Sequence, residues 1–190
     1  VCSSDLTQAA AAGLPVSEKH VQIKTTDGTC HAFFGHPSTG QDPGVLIWTD
    51  AFGLSPALRD MAKRLAAEGY AVLVPNPFYR LGTAPVVPPG IDFGKPDDRA
   101  KLMQIMGTVT AAGAAERDAA AFIAFLDAQS QVKKSAKIGT QGYCMGGALT
   151  MRTAATIPNR VGAGGSFHGG GLATDKPDSP HLLVPKINAN

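Results

Sequence analysis

Residues 139–147 bring together the residue types that covalent catalysis needs. The segment reads Gly-Thr-Gln-Gly-Tyr-Cys-Met-Gly-Gly, with Cys144 flanked on both sides by small residues. A strand-like run at residues 136–140 leads into it, and a helix-forming run at residues 148–152 follows. This is the pattern of a nucleophile elbow, glycine–any–nucleophile–any–glycine, with cysteine in the place of the usual serine.

The predicted elbow would activate the sulfur of Cys144. Gly142 and Gly146 lack the Cβ atoms that would clash at so sharp a turn. The N–H groups at the start of the following helix favour a thiolate and a developing oxyanion. The alternative is a buried structural cysteine, which is the common situation of a free cysteine. Its place between a strand and a helix favours the nucleophile.

Two apolar runs predict the central strands of the sheet. Residues 45–48 and 71–75 are continuously apolar, as expected of parallel strands that are covered on both faces. Between them, Ser55 as N-cap and Pro56 at the first helical position begin a predicted helix. Strand, helix and strand therefore form a βαβ unit.

The rest of the chain extends this pattern. Asp27-Gly28 is typical of a hairpin turn between strands at residues 21–26 and 30–35. Residues 76–96 predict a long loop, followed by a helix that breaks near Gly107. A second amphipathic helix carries a buried stripe, which consists of Ala115, Ala119, Phe122, Ile123 and Leu126.

The last part of the chain completes a predicted sheet. Residues 161–167 predict a glycine-rich strand, and residues 184–190 predict the beginning of another. Alternating strands and helices indicate a doubly wound, mostly parallel sheet with helices on both faces. We expect one α/β domain at residues 21–190, after an N-terminal tail at residues 1–20. The site should lie at the carboxyl ends of the strands.

Composition and charge exclude several classes of protein. The 190 residues carry a net charge of +2 and few aromatics, which argues against a nucleic-acid partner. No apolar run is long enough to span a membrane. The three cysteines are far apart, which argues against a disulfide framework and is typical of a cytoplasmic protein. The five histidines lack metal-ligand spacings, so neither a metal nor a cofactor is predicted.

The residues around the elbow resemble those of the dienelactone hydrolases, cysteine-dependent members of the α/β-hydrolase fold. The resemblance rests on residues 142–147, on Asp50-Ala51-Phe52-Gly53 after a buried strand, and on residues 69–76 with Tyr79. It runs from about Val21 to the end of the chain. It implies hydrolysis of a small lactone or enol ester through a thioester on Cys144.

The resemblance also implies roles for other residues. The backbone N–H groups of Met145 and Ala51 would form the oxyanion hole, and Asp50 would hold the resting thiol. Arginines would grip an anionic group of the substrate. The residues expected to line the substrate pocket are Phe52, Tyr79, Arg80, Arg99, Tyr143 and His168. Ordinary surface roles are the alternative for Asp50, Arg80 and Arg99.

The triad partners of the nucleophile are not identified in this sequence. In the α/β-hydrolase fold the acid and the histidine follow later strands than the one after the elbow helix, so His168 is interpreted as pocket lining. Asp175, Asp178 and His181 are interpreted as surface residues. We therefore expect the acid and the histidine beyond Asn190, and little turnover from these residues alone.

Three other functions remain open at this stage. The first is an esterase or thioesterase on the same scaffold, acting as a monomer or homodimer on a different small-molecule substrate. The second is a non-catalytic, hydrolase-like binding module in which Cys144 is unreactive. The third is a cysteine peroxidase, which is disfavoured because no resolving cysteine lies nearby in the sequence.

Overall fold

A computed structural model describes residues 13–189, which form a six-stranded sheet flanked by helices. The strands are β1 (Val16–Thr25), β2 (Gly28–Pro37), β3 (Gly44–Trp48), β4 (Ala71–Pro75), β5 (Ile138–Tyr143) and β6 (Val161–Phe167). The helices are α1 (Pro56–Ala67), α2 (Pro96–Thr110), α3 (Ala114–Ala128) and α4 (Met145–Thr156), followed by a short 3₁₀ helix (Pro180–Lys186).

The sheet is mostly parallel, with an antiparallel hairpin at one side. Its strand order is β1-β2-β4-β3-β5-β6. The hairpin joins β1 to β2 and pairs antiparallel with β4, whereas β4, β3, β5 and β6 run parallel to one another. The carboxyl ends of β3, β5 and β6 therefore meet at one edge of the sheet. The predicted hairpin, βαβ unit and mostly parallel sheet are confirmed.

The core has two parts, one on each face of the sheet. Helix α1 covers one face, where Leu58 and Ala62 pack against β3 and β4 side chains. Helices α2, α3 and α4 cover the other face, where Trp48 is fully buried and its Nε1 donates to Thr153 Oγ1 of α4 at 2.8 Å. Because β3 is covered on both sides, all five of its residues are buried. The architecture is a three-layer αβα sandwich.

Three boundaries differ from the sequence prediction. Strand β1 begins at Val16, so residues 16–20 lie in the sheet and not in a tail. Helix α2 continues through Gly107, and the left-handed Gly113 separates it from α3. Residues 184–189 do not begin a strand. Residues 184–186 end the 3₁₀ helix, residues 187–189 have no regular secondary structure, and Pro185 has no N–H for a ladder.

The remaining part of the predicted tail, residues 1–12, lies outside the described residues. Within residues 13–189, no helix combines the length and the apolar character required to cross a bilayer.

Candidate active site

The backbone of Cys144 turns sharply between β5 and α4. Its φ of 53° and ψ of −113° lie in a region that non-glycine residues rarely occupy. Three backbone hydrogen bonds hold it there. Its N–H donates to the carbonyl of Phe167 at 3.1 Å, and its carbonyl accepts from the N–H groups of Gly147 at 3.1 Å and Gly170 at 3.2 Å.

The glycines around Cys144 are required by close backbone approach. A Cβ on Gly142 would lie 2.0 Å from the carbonyl oxygen of Gly146. A Cβ on Gly146 would lie 2.6 Å from the carbonyl oxygen of Trp48 at the end of β3. Helix α4 therefore starts in direct contact with two strand ends, which is the geometry of an elbow.

Cys144 is partly exposed and opens into a cavity of about 380 Å³. Helices α2 and α4 and the loop at residues 170–180 form its walls. The residues that line these walls include Met103, Met106, Met145, Leu149, Arg152 and Lys176. Cys144 is therefore one of the residues that line this cavity.

The two residues whose amides are predicted to form the oxyanion hole follow neighbouring strands, β5 and β3. Met145 is the first residue of α4, and the first N–H groups of a helix have no acceptor within that helix. Ala51 is buried in the turn after β3, the neighbour of β5.

Asp50 is engaged with its own turn. Its Oδ1 accepts from the N–H of Phe52 at 2.9 Å, and its carbonyl accepts from the N–H of Gly53 at 3.2 Å. Among residues 13–189, no hydrogen bond joins Asp50 to the sulfur of Cys144. In this conformation the carboxylate orders the turn that carries Ala51.

Four of the predicted pocket residues lie near the elbow or on the surface but do not line the cavity. Phe52 and His168 are exposed on turns that follow β3 and β6. Tyr143 stacks on Phe167, with ring centroids 5.0 Å apart, and packs on the α1 side of the sheet, where burial raises the pKa of its hydroxyl. Arg99 is exposed on α2.

Tyr79 and Arg80 belong to a buried polar cluster away from the cavity. The Arg80 guanidinium binds both carboxylate oxygens of Asp118, at 2.8 Å each, and also contacts Asp27 Oδ2 at 2.6 Å. Tyr79 Oη donates to Asp118 Oδ1 at 2.8 Å and accepts from Thr25 Oγ1 at 2.8 Å. Both predicted pocket residues thus connect the β1–β2 hairpin to α3.

Sequence reasoning missed two residues of consequence. Asp118 is buried on α3. The sequence could have indicated this, because the carboxylate lies beside the apolar stripe of that helix. Arg152 lines the cavity from α4, eight residues after Cys144, and a spacing of two helical i, i+4 steps places it on the same side of the helix. Neither Asp118 nor Arg152 belongs to a motif that would identify its role from one sequence.

Arg152 is held by two carboxylates. Its Nη1 donates to Glu116 Oε1 at 2.9 Å, and its Nη2 donates to the carbonyl of Asp178 at 2.7 Å and to Asp178 Oδ2 at 3.3 Å. Through these contacts α4 is joined to α3 and to the loop that closes the cavity. Within the part of the chain that the structure describes, no histidine hydrogen-bonds to the sulfur of Cys144, and no three His, Cys, Asp or Glu residues form a cluster suited to a metal.

The fold and the elbow define this protein as an α/β hydrolase. The structure resembles a putative dienelactone hydrolase from Klebsiella pneumoniae, with a TM-score of 0.75 and 20% identity over 92% of this chain and 70% of that one. It also resembles a dienelactone hydrolase-like promiscuous phosphotriesterase from metagenomic libraries, with a TM-score of 0.72 and 27% identity over 94% of this chain and 66% of that one.

The dienelactone hydrolase family model matches residues 30–190, so the chain belongs to this family. It is 30% identical to a carboxymethylenebutenolidase of Rhodococcus opacus, over 78% of this chain and 54% of that protein. It is 28% identical to one of Pseudomonas putida, over 88% of this chain and 67% of that protein. The chain thus spans between half and two thirds of these relatives. Family membership confirms the predicted resemblance.

Proposed function

We propose that this protein cleaves a lactone or enol ester through a thioester on Cys144. The observation that carries the proposal is the backbone of Cys144, held at positive φ between β5 and α4 with its side chain at a cavity of about 380 Å³. Backbone strain of this kind costs free energy, and strained residues cluster at functional sites, where the strain is part of the mechanism.

The proposed reaction has two steps. The thiolate of Cys144 attacks the carbonyl carbon of the substrate, and the oxygen becomes an oxyanion that accepts from the N–H groups of Met145 and Ala51. The tetrahedral intermediate collapses, the C–O bond of the ester breaks, and the leaving oxygen takes a proton from water, which balances the proton that the Cys144 thiol lost to solvent. Water then hydrolyses the thioester, which releases the acid and restores the thiol.

In this proposal Asp50 acts chiefly on the oxyanion hole. Its carboxylate caps the N–H of Phe52, which fixes the turn that carries Ala51. A role as partner of the resting thiol requires the side chain to leave that contact and turn towards Cys144. Removing the capping oxygen should therefore weaken oxyanion binding.

Acylation of Cys144 tests the proposal directly and does not require complete turnover. We expect p-nitrophenyl acetate to add one acetyl group to the peptide that contains Cys144, as measured by mass spectrometry, with release of one equivalent of p-nitrophenolate. Dihydrocoumarin should add its whole mass to the same peptide, because the opened lactone keeps its leaving oxygen. Cys144→Ala should abolish the adduct. Cys30→Ala is the matched control, because Cys30 is fully buried and burial raises the pKa of its thiol to about 12.

Two results would contradict the proposal. One is an unreactive Cys144 in the folded protein, which would indicate a binding module. The other is ester cleavage that survives Cys144→Ala unchanged. The small-molecule substrate, the cytoplasmic location and the monomeric or homodimeric state stay predictions.

A further inference from the structure

The cavity beside Cys144 has an adaptable apolar wall. Met103 and Met106 of α2 line it, as do Met145 and Leu149 of α4. Methionine side chains are unbranched and polarizable, so they adapt to the shape of an apolar ligand. A cavity of about 380 Å³ with such walls suits a medium-length alkyl or aryl group.

Among the described residues, the partly buried cation that lines this cavity is already neutralised. Arg152 has a side chain that is 15% exposed, and it uses Nη1 on Glu116 and Nη2 on Asp178. The second carboxylate oxygen of Glu116 is buried and has no hydrogen-bond partner in the described chain, so it adds negative potential beside Arg152. An incoming anion would have to displace a carboxylate from the guanidinium.

The other cations near the cavity do not change this balance. Lys176 lines it but is exposed, so water and salt screen its charge. The formal charges of Arg152, Lys176, Glu116 and Asp178 cancel. Arg80 is bound by Asp118 and Asp27 elsewhere in the fold.

We propose that the substrate group that enters this cavity is uncharged and apolar, in contrast to the anionic group that the sequence led us to expect. The inference rests on the proposed acylation of Cys144 and specifies its substrate class. Recognition comes from the methionine wall, and an anionic group is rejected because Glu116 and Asp178 occupy the guanidinium of Arg152.

A pair of esters with equal chain length separates the two classes of substrate. We expect p-nitrophenyl hexanoate to acylate Cys144 at least about tenfold faster than mono-p-nitrophenyl adipate, since an unpaired carboxylate in an apolar cavity is strongly disfavoured. The readout is the rate at which the Cys144 adduct forms, followed by mass spectrometry and by release of p-nitrophenolate.

Charge variants test the part played by the carboxylates. Asp178→Asn, alone and with Glu116→Gln, should raise the rate with the adipate ester by about three- to tenfold, because each substitution removes a negative charge beside Arg152. The rate with the hexanoate ester should stay within about twofold, since neither carboxylate contacts an apolar chain. Asp178 is exposed on a loop, so the single variant tests the proposal if the double variant fails to fold.

Chain length tests the methionine wall. Met106→Ala should slow acylation by the hexanoate ester about three- to tenfold, with little effect on p-nitrophenyl acetate, since the short acyl group does not reach the wall. Met61→Ala is the matched control, because Met61 is a partly buried methionine on α1, away from the cavity.

The outcomes distinguish this inference from the proposed function. Equal or faster acylation by the adipate ester, or equal slowing of acetate and hexanoate in Met106→Ala, would overturn the inference and leave Cys144 as the nucleophile. Failure of all three esters to acylate Cys144 in the folded protein would overturn both proposals.

Discussion

At the scale of single residues, the elbow combines a strained backbone at Cys144 with close backbone packing at the neighbouring glycines. The positive φ of Cys144 costs on the order of 1–3 kcal/mol, which the surrounding structure must offset. The three hydrogen bonds to Phe167, Gly147 and Gly170 provide this support. One is to the last residue of β6, and another comes from the segment that follows β6. The backbone of Cys144, the proposed nucleophile, is therefore held by a neighbouring strand as well as by its own turn.

Gly142 should be the least replaceable glycine that we identify. Gly142→Ala places a Cβ 2.0 Å from the carbonyl oxygen of Gly146, so the start of α4 must shift. We expect a loss of about 3 kcal/mol in the free energy of unfolding, measured in urea, because overpacking that moves backbone is costly. Acylation of Cys144 should fall as well.

Gly107→Ala is the matched control for this prediction. Gly107 lies inside α2, and a Cβ there meets nothing within 4 Å. Alanine should stabilise the helix by about 0.5–1 kcal/mol. Equal stability changes in the two variants would contradict the assignment of Gly142 to a close backbone contact.

At the scale of elements, a polar cluster fastens the β1–β2 hairpin to α3. Asp27, in the hairpin turn, accepts from Arg80 and from Arg117 of α3, and Arg80 also binds the buried Asp118. The hydrogen bonds from Arg80 and then Arg117 lower the pKa of Asp27 to about 2. The carboxylate thus remains charged well below the ordinary pKa of an aspartate.

This shift predicts a contribution of Asp27 to acid stability. Because its pKa is lower in the folded chain than the ordinary value of 3.8, its stabilising effect is complete above about pH 4. The effect should be lost as the pH falls from about 4 to 2. Asp27→Asn should lower the free energy of unfolding at pH 7 and flatten its decline across that interval.

Urea unfolding at several pH values measures this effect. Asp60→Asn on α1 is the control, because Asp60 is an exposed carboxylate whose ion pair with Lys63 spans 3.6 Å on the helix surface. If Asp27→Asn and the wild type declined in parallel between pH 4 and pH 2, the cluster would not fasten the hairpin through a charged Asp27.

At the scale of the whole molecule, the sheet has an open side at β6. Within residues 13–189, β6 pairs with β5 alone, and most of its residues are exposed. Phe167 and Tyr70 are also exposed beside a groove of about 320 Å³ on this side. An exposed strand edge next to apolar surface favours pairing between chains.

We therefore expect this chain to self-associate as its concentration rises. Ala163→Lys on β6 should raise the concentration at which association begins, measured by light scattering, by at least about tenfold, since a lysine on an edge strand opposes pairing. Ala120→Lys is the matched control on the exposed side of α3. Equal effects of the two substitutions would show that net charge and not the β6 edge controls association.

Much of the fold could be predicted because local patterns carry it. Several elements can be predicted from a few neighbouring residues. Examples are the apolar runs of β3 and β4, the Asp27-Gly28 turn and the Ser55 cap of α1. The pattern was misleading where prolines intervene. Leu182, Leu183 and Val184 resemble strand residues, yet the flanking prolines place them in a 3₁₀ helix.

The candidate site was less predictable, because its walls come from distant segments. The sequence of Cys144 and its glycines was enough to predict the elbow. It could not show that Arg80 binds Asp118 on α3, or that Arg152 reaches the cavity already paired with Glu116 and Asp178. These pairings join residues between 26 and 38 positions apart.

The sequence by itself determined the order of strands and helices, the elbow around Cys144 and the family to which the chain belongs. These features depend on short-range sterics and on the spacing of apolar residues, both of which are determined by residues close together in the sequence. Only the tertiary structure decided which carboxylates pair with Arg80 and Arg152, and which side chains line the cavity beside Cys144. The physical reason is that charge neutralisation and cavity shape depend on long-range packing between α2, α3, α4 and the loop before the 3₁₀ helix.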